Sequence, residues 1–224
     1  MSNKSQSGMF HVSGGDMNSG YIRNTFSAIS AEAGLASTDS PTSYSATVGL
    51  MNIFNQAASA GDYNVIIHPR MLNLVAKSAN TSATDFRLHF YRDTADRYSS
   101  GGTELTPAVT SFDDSASYAN HTAKARINAG LLALGAAGSD EEALWRAMCK
   151  DEVFAAGEGL TILWGGPLGG SIDSAAFNNN VIVVPPMPIG RGQNLSIHEV
   201  AASQAADPKF QFQFWFEEHG HTRT

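Results

Sequence analysis

Phe210, Phe212, Phe214 and Phe216 alternate along the chain with Gln211, Gln213, Trp215 and Glu217. Alternation with a period of two marks a β-strand that buries one face. Burying one phenyl ring is worth roughly 1.5–3 kcal/mol, so the stripe contributes about 6–12 kcal/mol. Whole domains are stable by only about 5–15 kcal/mol. Such a strand belongs in the middle of a sheet, not on a solvated edge. The same rhythm recurs upstream. Phe86, Leu88 and Phe90 share one face and Arg87, His89 and Tyr91 the other, while Val65 and Ile67 face opposite to Ile66 and His68. Pro69 is expected to end or bulge that strand, with Leu72, Leu74 and Ala76 resuming it. Tyr44–Asn55 alternates in part, and Ala125–Leu134, Leu160–Trp164, Val181–Val184 and a strand from Leu195 follow. About eight strands at short spacing predict an all-β sandwich or barrel rather than βαβ units. Tyr98–Thr106, which contains Gly101-Gly102, reads as a loop.

One helix interrupts the series. Ser139-Asp140-Glu141-Glu142 has the spacing of a capping box, in which Ser139 and Glu142 satisfy each other's backbone N–H groups. Acidic residues in a first turn also suit the helix dipole. A short helix to about Met148 is expected, and Ser27–Leu35 suits another short one. Residues 1–43 differ from the rest, being rich in Ser, Gly, Asn and Thr. Their large apolar side chains are too widely spaced for a core and too frequent for a linker. The expectation is an extended N-terminal arm over 1–43 that docks on a neighbouring subunit through Phe10, Met17, Tyr21, Ile22 and Phe26, ahead of a β-domain over 44–224.

Charge and cysteine content narrow the classes of function. Only 16% of residues are charged, the net charge is −7 and no Lys/Arg run occurs. Binding to a nucleic-acid backbone rests on clustered cations, so no direct nucleic-acid partner is expected. The single cysteine, Cys149, excludes a disulfide within the chain and a thiolate metal cluster; a buried structural thiol in a helical stretch is expected. No apolar run approaches the length of a membrane helix, and residues 1–20 do not read as a signal peptide. Synthesis in a cytoplasm leaves the sequons at Asn80, Asn120 and Asn194 without bearing.

Motifs for chemistry are mostly missing. Gly165–Gly170 lacks the Gly-Lys-Ser/Thr ending of a phosphate loop, and no Gly-x-Ser-x-Gly elbow occurs. Asp113-Asp114 and Glu217-Glu218 are adjacent pairs, and neighbours on a strand point to opposite faces, so neither is a natural acid–base couple. His68, His89 and His198 lie in expected strands, where a cupin-like metalloenzyme would carry ligands, yet the close His-x-His with a following Glu is missing there. His219-Gly220-His221 is the only such pair, in a tail expected to be exposed. No catalytic residue, metal or cofactor is expected. Trp164, Trp215 and the tyrosines are candidates for stacking on sugars.

Three segments resemble a known class. Leu50-Met51-Asn52-Ile53-Phe54-Asn55-Gln56-Ala57-Ala58-Ser59-Ala60-Gly61, followed by Val65–Ile67, resembles the opening hairpin of jelly-roll proteins from tailed bacteriophage virions. Val181-Ile182-Val183-Val184-Pro185-Pro186-Met187-Pro188-Ile189-Gly190-Arg191-Gly192-Gln193-Asn194-Leu195 resembles their later hairpin, and Phe214-Trp215-Phe216-Glu217-Glu218 their final strand. The resemblance implies a jelly-roll β-sandwich and a non-enzymatic structural role. That role is a capsid decoration or cement protein on the virion surface, a dimer or trimer, with the major capsid protein or another virion protein as partner. A tail-fibre or host-recognition domain that binds glycan is the alternative, and a cupin-like metalloenzyme a more distant one.

Overall fold

The computed structural model describes residues 21–37, 43–57, 65–78, 86–110, 123–150, 154–165, 172–174, 179–201 and 209–221. Among them are fourteen strands and no helix. One sheet runs β11 (Ile172–Ser174), β12 (Asn179–Val184), β10 (Gly159–Trp164), β4 (Ile66–Ala76), β14 (Lys209–His221), β1 (Tyr21–Ile29) and β7 (Ala108–Val109). The two-residue β2 (Leu35–Ala36) pairs with the start of β14. The second sheet runs β6 (Tyr98–Leu105), β8 (Ala125–Leu134), β3 (Val48–Asn55), β13 (Asn194–Ala201), β5 (Phe86–Asp93) and β9 (Glu142–Lys150). Neighbours are antiparallel except β10 and β12.

The phenylalanine strand sits where its burial requires. β14 pairs with β4 on one side and β1 on the other, and Phe210, Phe212, Phe214 and Phe216 are all buried. Their rings carry the contact between sheets. Phe216 stacks on Phe26 and Phe214, each at 5.3 Å. Phe214 meets Trp164 edge-on at 6.1 Å, and Trp164 meets Phe90 of β5 in the same way. Phe210 reaches Phe86 of β5 at 5.7 Å. Edge-to-face pairs of this kind add to the burial of the rings themselves.

Pro69 bulges β4 rather than ending it. Trp215 pairs with Met71 and Phe216 with Pro69, which leaves Arg70 as the extra residue. Asn55 ends β3 and satisfies the chain where it turns. Its Nδ2 donates to the carbonyls of Val65 (2.8 Å) and Ile189 (3.0 Å), and its Oδ1 accepts from Ala57 N–H (3.0 Å). The segments that suggested hairpins, β3 into β4 and β12 into β13, instead carry the chain from one sheet to the other.

Four expectations change. The helix placed from Ser139 to about Met148 is the strand β9, paired with β5 from Arg92 to Phe86. A helix of that length is marginal alone, and β5 offers a row of backbone groups to pair. The acidic residues that suggested a cap are drawn elsewhere: Thr94 donates to Asp140, and Arg92 pairs with Glu142 at 2.5 Å. The short helix at Ser27–Leu35 is the end of β1, a turn and β2. The loop at Tyr98–Thr106 is β6, in which Gly102 has φ of +61° and lies so close to Ala129 O that a Cβ would meet it at 2.5 Å. The arm drawn over 1–43 loses residues 21–37 to the two-sheet body, because β1 carries Phe26 into the core.

Phe214→Ala should cost about 3–5 kcal/mol, read as a lower urea midpoint. Gln213→Ala, on the opposite face of the same strand, should cost less than about 1 kcal/mol. Equal losses would remove the case for a one-sided stripe.

Candidate functional site

Only some of the proposed docking residues are among those described. Phe10 and Met17 lie outside the described residues. Tyr21 and Ile22 open β1, opposite His221 and Gly220 of β14. Phe26 is fully buried against Phe216 and cannot dock on another subunit.

Polar side chains that sequence reasoning missed gather on the outer face of the second sheet. Leu195 and Ile197 of β13 point into the core, so Asn194, Ser196 and His198 point away from it. They are nonetheless buried, because another layer covers them. Tyr44 lies across this face, its ring 4.4 Å from that of Tyr91 and 5.0 Å from that of His198. Its hydroxyl donates to Glu141 Oε1 at 3.0 Å. Burial, then this bond to a carboxylate, push the Tyr44 hydroxyl well above the ordinary phenol range.

Arg97 ties the layer together. Its NH1 donates to Glu141 (2.5 Å) and Asp93 (3.3 Å), its NH2 to the carbonyls of Ala46 (2.6 Å) and Gly135 (2.9 Å), and its Nε to Gly135 (3.1 Å). The five donors of a guanidinium are thus all used. Asp93 also accepts from Ala95 and Gly138 N–H. A charge this deeply buried is tolerable only when paired and fully hydrogen-bonded.

His198 holds the layer to the sheet. Its Nδ1 is 2.7 Å from Val48 O and its Nε2 2.9 Å from Ser196 Oγ. A carbonyl only accepts, so Nδ1 carries the proton and Ser196 donates to Nε2. This has the form of a nucleophile beside its base. Both side chains are fully buried, however, and the orienting group is a backbone carbonyl. The arrangement therefore works as internal bonding. Burial lowers the His198 pKa to about 4. His89 lies opposite His198 in register and is also lowered, first by burial and then by Arg146 and Arg87. His68 is on the other sheet, its ring 4.2 Å from His219. Among the described residues no group of three or more His, Cys, Asp or Glu is placed to hold a metal ion.

The remaining chemical groups are also engaged. Glu217 and Glu218 do point to opposite faces: Glu217 pairs with Arg70 at 2.6 Å on the outside, and Glu218 accepts from Lys124 and Ala125 N–H within. Cys149 is buried in β9, a strand and not the expected helix, and burial pushes its thiol up to about 12, which removes its reactivity. Asp113-Asp114 lies outside the described residues. Of the aromatics considered for sugars, Trp164 is core, Tyr44 and Tyr91 are in the polar layer, and Arg126 lies over Tyr98 at 5.4 Å. Trp215 is exposed on a sheet face and Trp145 on the edge strand β9.

No family model, curated protein or solved structure matches the chain.

Stability should carry the mark of His198. The folded imidazole stays neutral down to about pH 4, whereas the unfolded one protonates near 6.5. Between these values the unfolded chain binds more protons, so stability falls as pH drops and levels off below about 4. In urea unfolding, the gap between wild type and His198→Gln should shift by about 2 kcal/mol against the wild type between pH 7.5 and 5. Parallel pH profiles would show that His198 does not titrate on unfolding.

Proposed function

We propose that the two sheets form a jelly-roll sandwich and that the chain is a non-enzymatic structural protein of a bacteriophage particle. It acts as a decoration or cement protein on the capsid surface, as a dimer or trimer. Strand order supports the fold reading. Antiparallel pairs nest around β5 and β9: β5 with β9, β4 with β10, β3 with β13 and β1 with β14. Successive pairs alternate between the sheets. One long hairpin rolled upon itself gives this order, and rolling also brings β13 beside β5 and β14 beside β4, as found. That order supports the reading of a jelly roll, an architecture common in viral capsid and lectin domains. The strands β6–β8 and β11–β12 are then insertions that widen each sheet.

The observation that favours a structural role is where the chemistry-bearing side chains lie. Arg97, Asp93, Ser196 and His198 are spent on internal bonds, and the surface offers sheet faces and loops. Fold alone does not fix function; the resemblance of Leu50–Gly61, Val181–Leu195 and Phe214–Glu218 to virion jelly rolls supplies the direction. Many copies on one shell add their binding through multivalency, and a net charge of −7 keeps the protein from the enclosed genome.

The test is sedimentation with capsids assembled from the major capsid protein encoded with this chain. The full chain should pellet with them. Deleting residues 1–20, which removes Phe10 and Met17 but none of the described strands, should abolish pelleting and leave the urea midpoint unchanged. A full-length chain that stays in the supernatant at saturating capsid overturns the decoration reading. Full-strength pelleting of the shortened chain overturns the role of the arm alone.

A further inference from the structure

Strands β1, β14, β4 and β10 present to solvent a face in which a row of uncharged polar groups lies beside apolar side chains, Ile29 and the Trp215 indole being the most exposed of them. Register sets the rows. Ser27, Trp215, Met71 and Leu163 are opposite one another, as are Ile29, Gln213, Asn73 and Thr161. Trp215 is 38% and Ile29 57% exposed on this otherwise half-buried surface. The polar row is a ladder: Thr161 Oγ1 donates to Asn73 Oδ1 at 3.2 Å, and Asn73 Nδ2 donates to Gln213 Oε1 at 3.3 Å. The ladder uses one N–H of Asn73 and none of the Gln213 Nε2 donors, so it fixes the amides while leaving donors for a ligand. Outward positions on these four strands from Gln211 to Trp215 and their register partners carry no charge. The Arg70–Glu217 ion pair borders them.

We infer that this face binds a neutral oligosaccharide. Its Trp215 indole stacks on the apolar face of one pyranose, and Gln213 and Asn73 bond that ring's hydroxyls. The spacing suits a sugar ring, since Trp215 and Gln213 are about 7 Å apart along β14 and Asn73 about 5 Å across it. Hydroxyls both donate and accept, which matches amides already committed on one side. A chargeless face has nothing to offer a nucleic acid. A second copy of the chain would bury these amides without assured partners.

The probe is an array of neutral oligosaccharides read with the labelled full-length chain, followed by calorimetric titration of the best-binding free oligosaccharide. Binding should appear on the array. Trp215→Ala should weaken it at least 10-fold, Gln213→Ala about 5-fold, and Trp215→Phe should retain most of it, with all three variants melting near the wild type. An array without binding overturns the proposal, as does binding that Trp215→Ala leaves unchanged. Light scattering that shows a dimer dissociated by Trp215→Ala assigns the face to a second copy and overturns it equally.

Discussion

Four phenyl rings on one side of β14 must leave water together, and the arrangement of the chain follows from that constraint. A strand with such a stripe is stable only between two neighbours and beneath a facing sheet. β1 and β4 supply the neighbours, and Phe86 and Phe90 of β5 supply the contact from the other sheet. Slipping β14 by one residue would expose the rings and bury Gln211, Gln213, Trp215 and Glu217 instead. The register of the first sheet is therefore set by its most apolar strand. β1 is fixed in turn through Phe26, which stacks on Phe216.

A second constraint acts on the far side of the other sheet. The chain enters β3 through Ala46 and leaves β8 through Gly135, whose carbonyls fall outside the strand ladders, and buried backbone groups need partners. Arg97 meets that need. Its planar fork reaches the carbonyls of Ala46 and Gly135 and two carboxylates at once, which a lysine's single ammonium would not do. The neutral His198 is the counterpart in the sheet below, bonded to Val48 O through one nitrogen. The same layer also buries Asn52 and Asn194 completely.

Much of the fold was legible because period-two patterns report burial directly. β14, β5, both halves of β4, β8, β10, β12 and the start of β13 are all readable from alternation or from short apolar runs, and Pro69 signals either an end or a bulge in β4, of which the bulge is found. Local signals misled where tertiary pairing was worth more. The capping spacing at Ser139 and the good helix formers after it yielded to the open edge of β5. Phe26 reads as part of an arm because its partner, Phe216, is at the other end of the chain. The polar layer was illegible for the same reason: Arg97 bonds Ala46, Gly135 and Glu141 across long separations, and its one local sign was the i,i+4 spacing to Asp93. Trp215 was visible as a candidate for sugars, whereas Asn73 and Thr161 acquire meaning only once β4 and β10 lie beside β14.

Core and surface are coupled through the extra residue in β4. Before it, Ile67 and Pro69 point inward; after it, Leu72, Leu74 and Ala76 do. The parity of the strand changes at Arg70, and with it the destination of every later side chain. Without that change Met71 and Asn73 would face the core and Leu72 and Leu74 the solvent. The bulge keeps the apolar set of β4 against the phenylalanines while placing Asn73 between Gln213 and Thr161 on the outside. Arg70, the bulged residue, is turned toward Glu217 and closes the uncharged surface with an ion pair. The amide ladder and the indole beside it are therefore a consequence of how the core is phased. A change at Pro69 or Arg70 acts on both faces of the sheet at once.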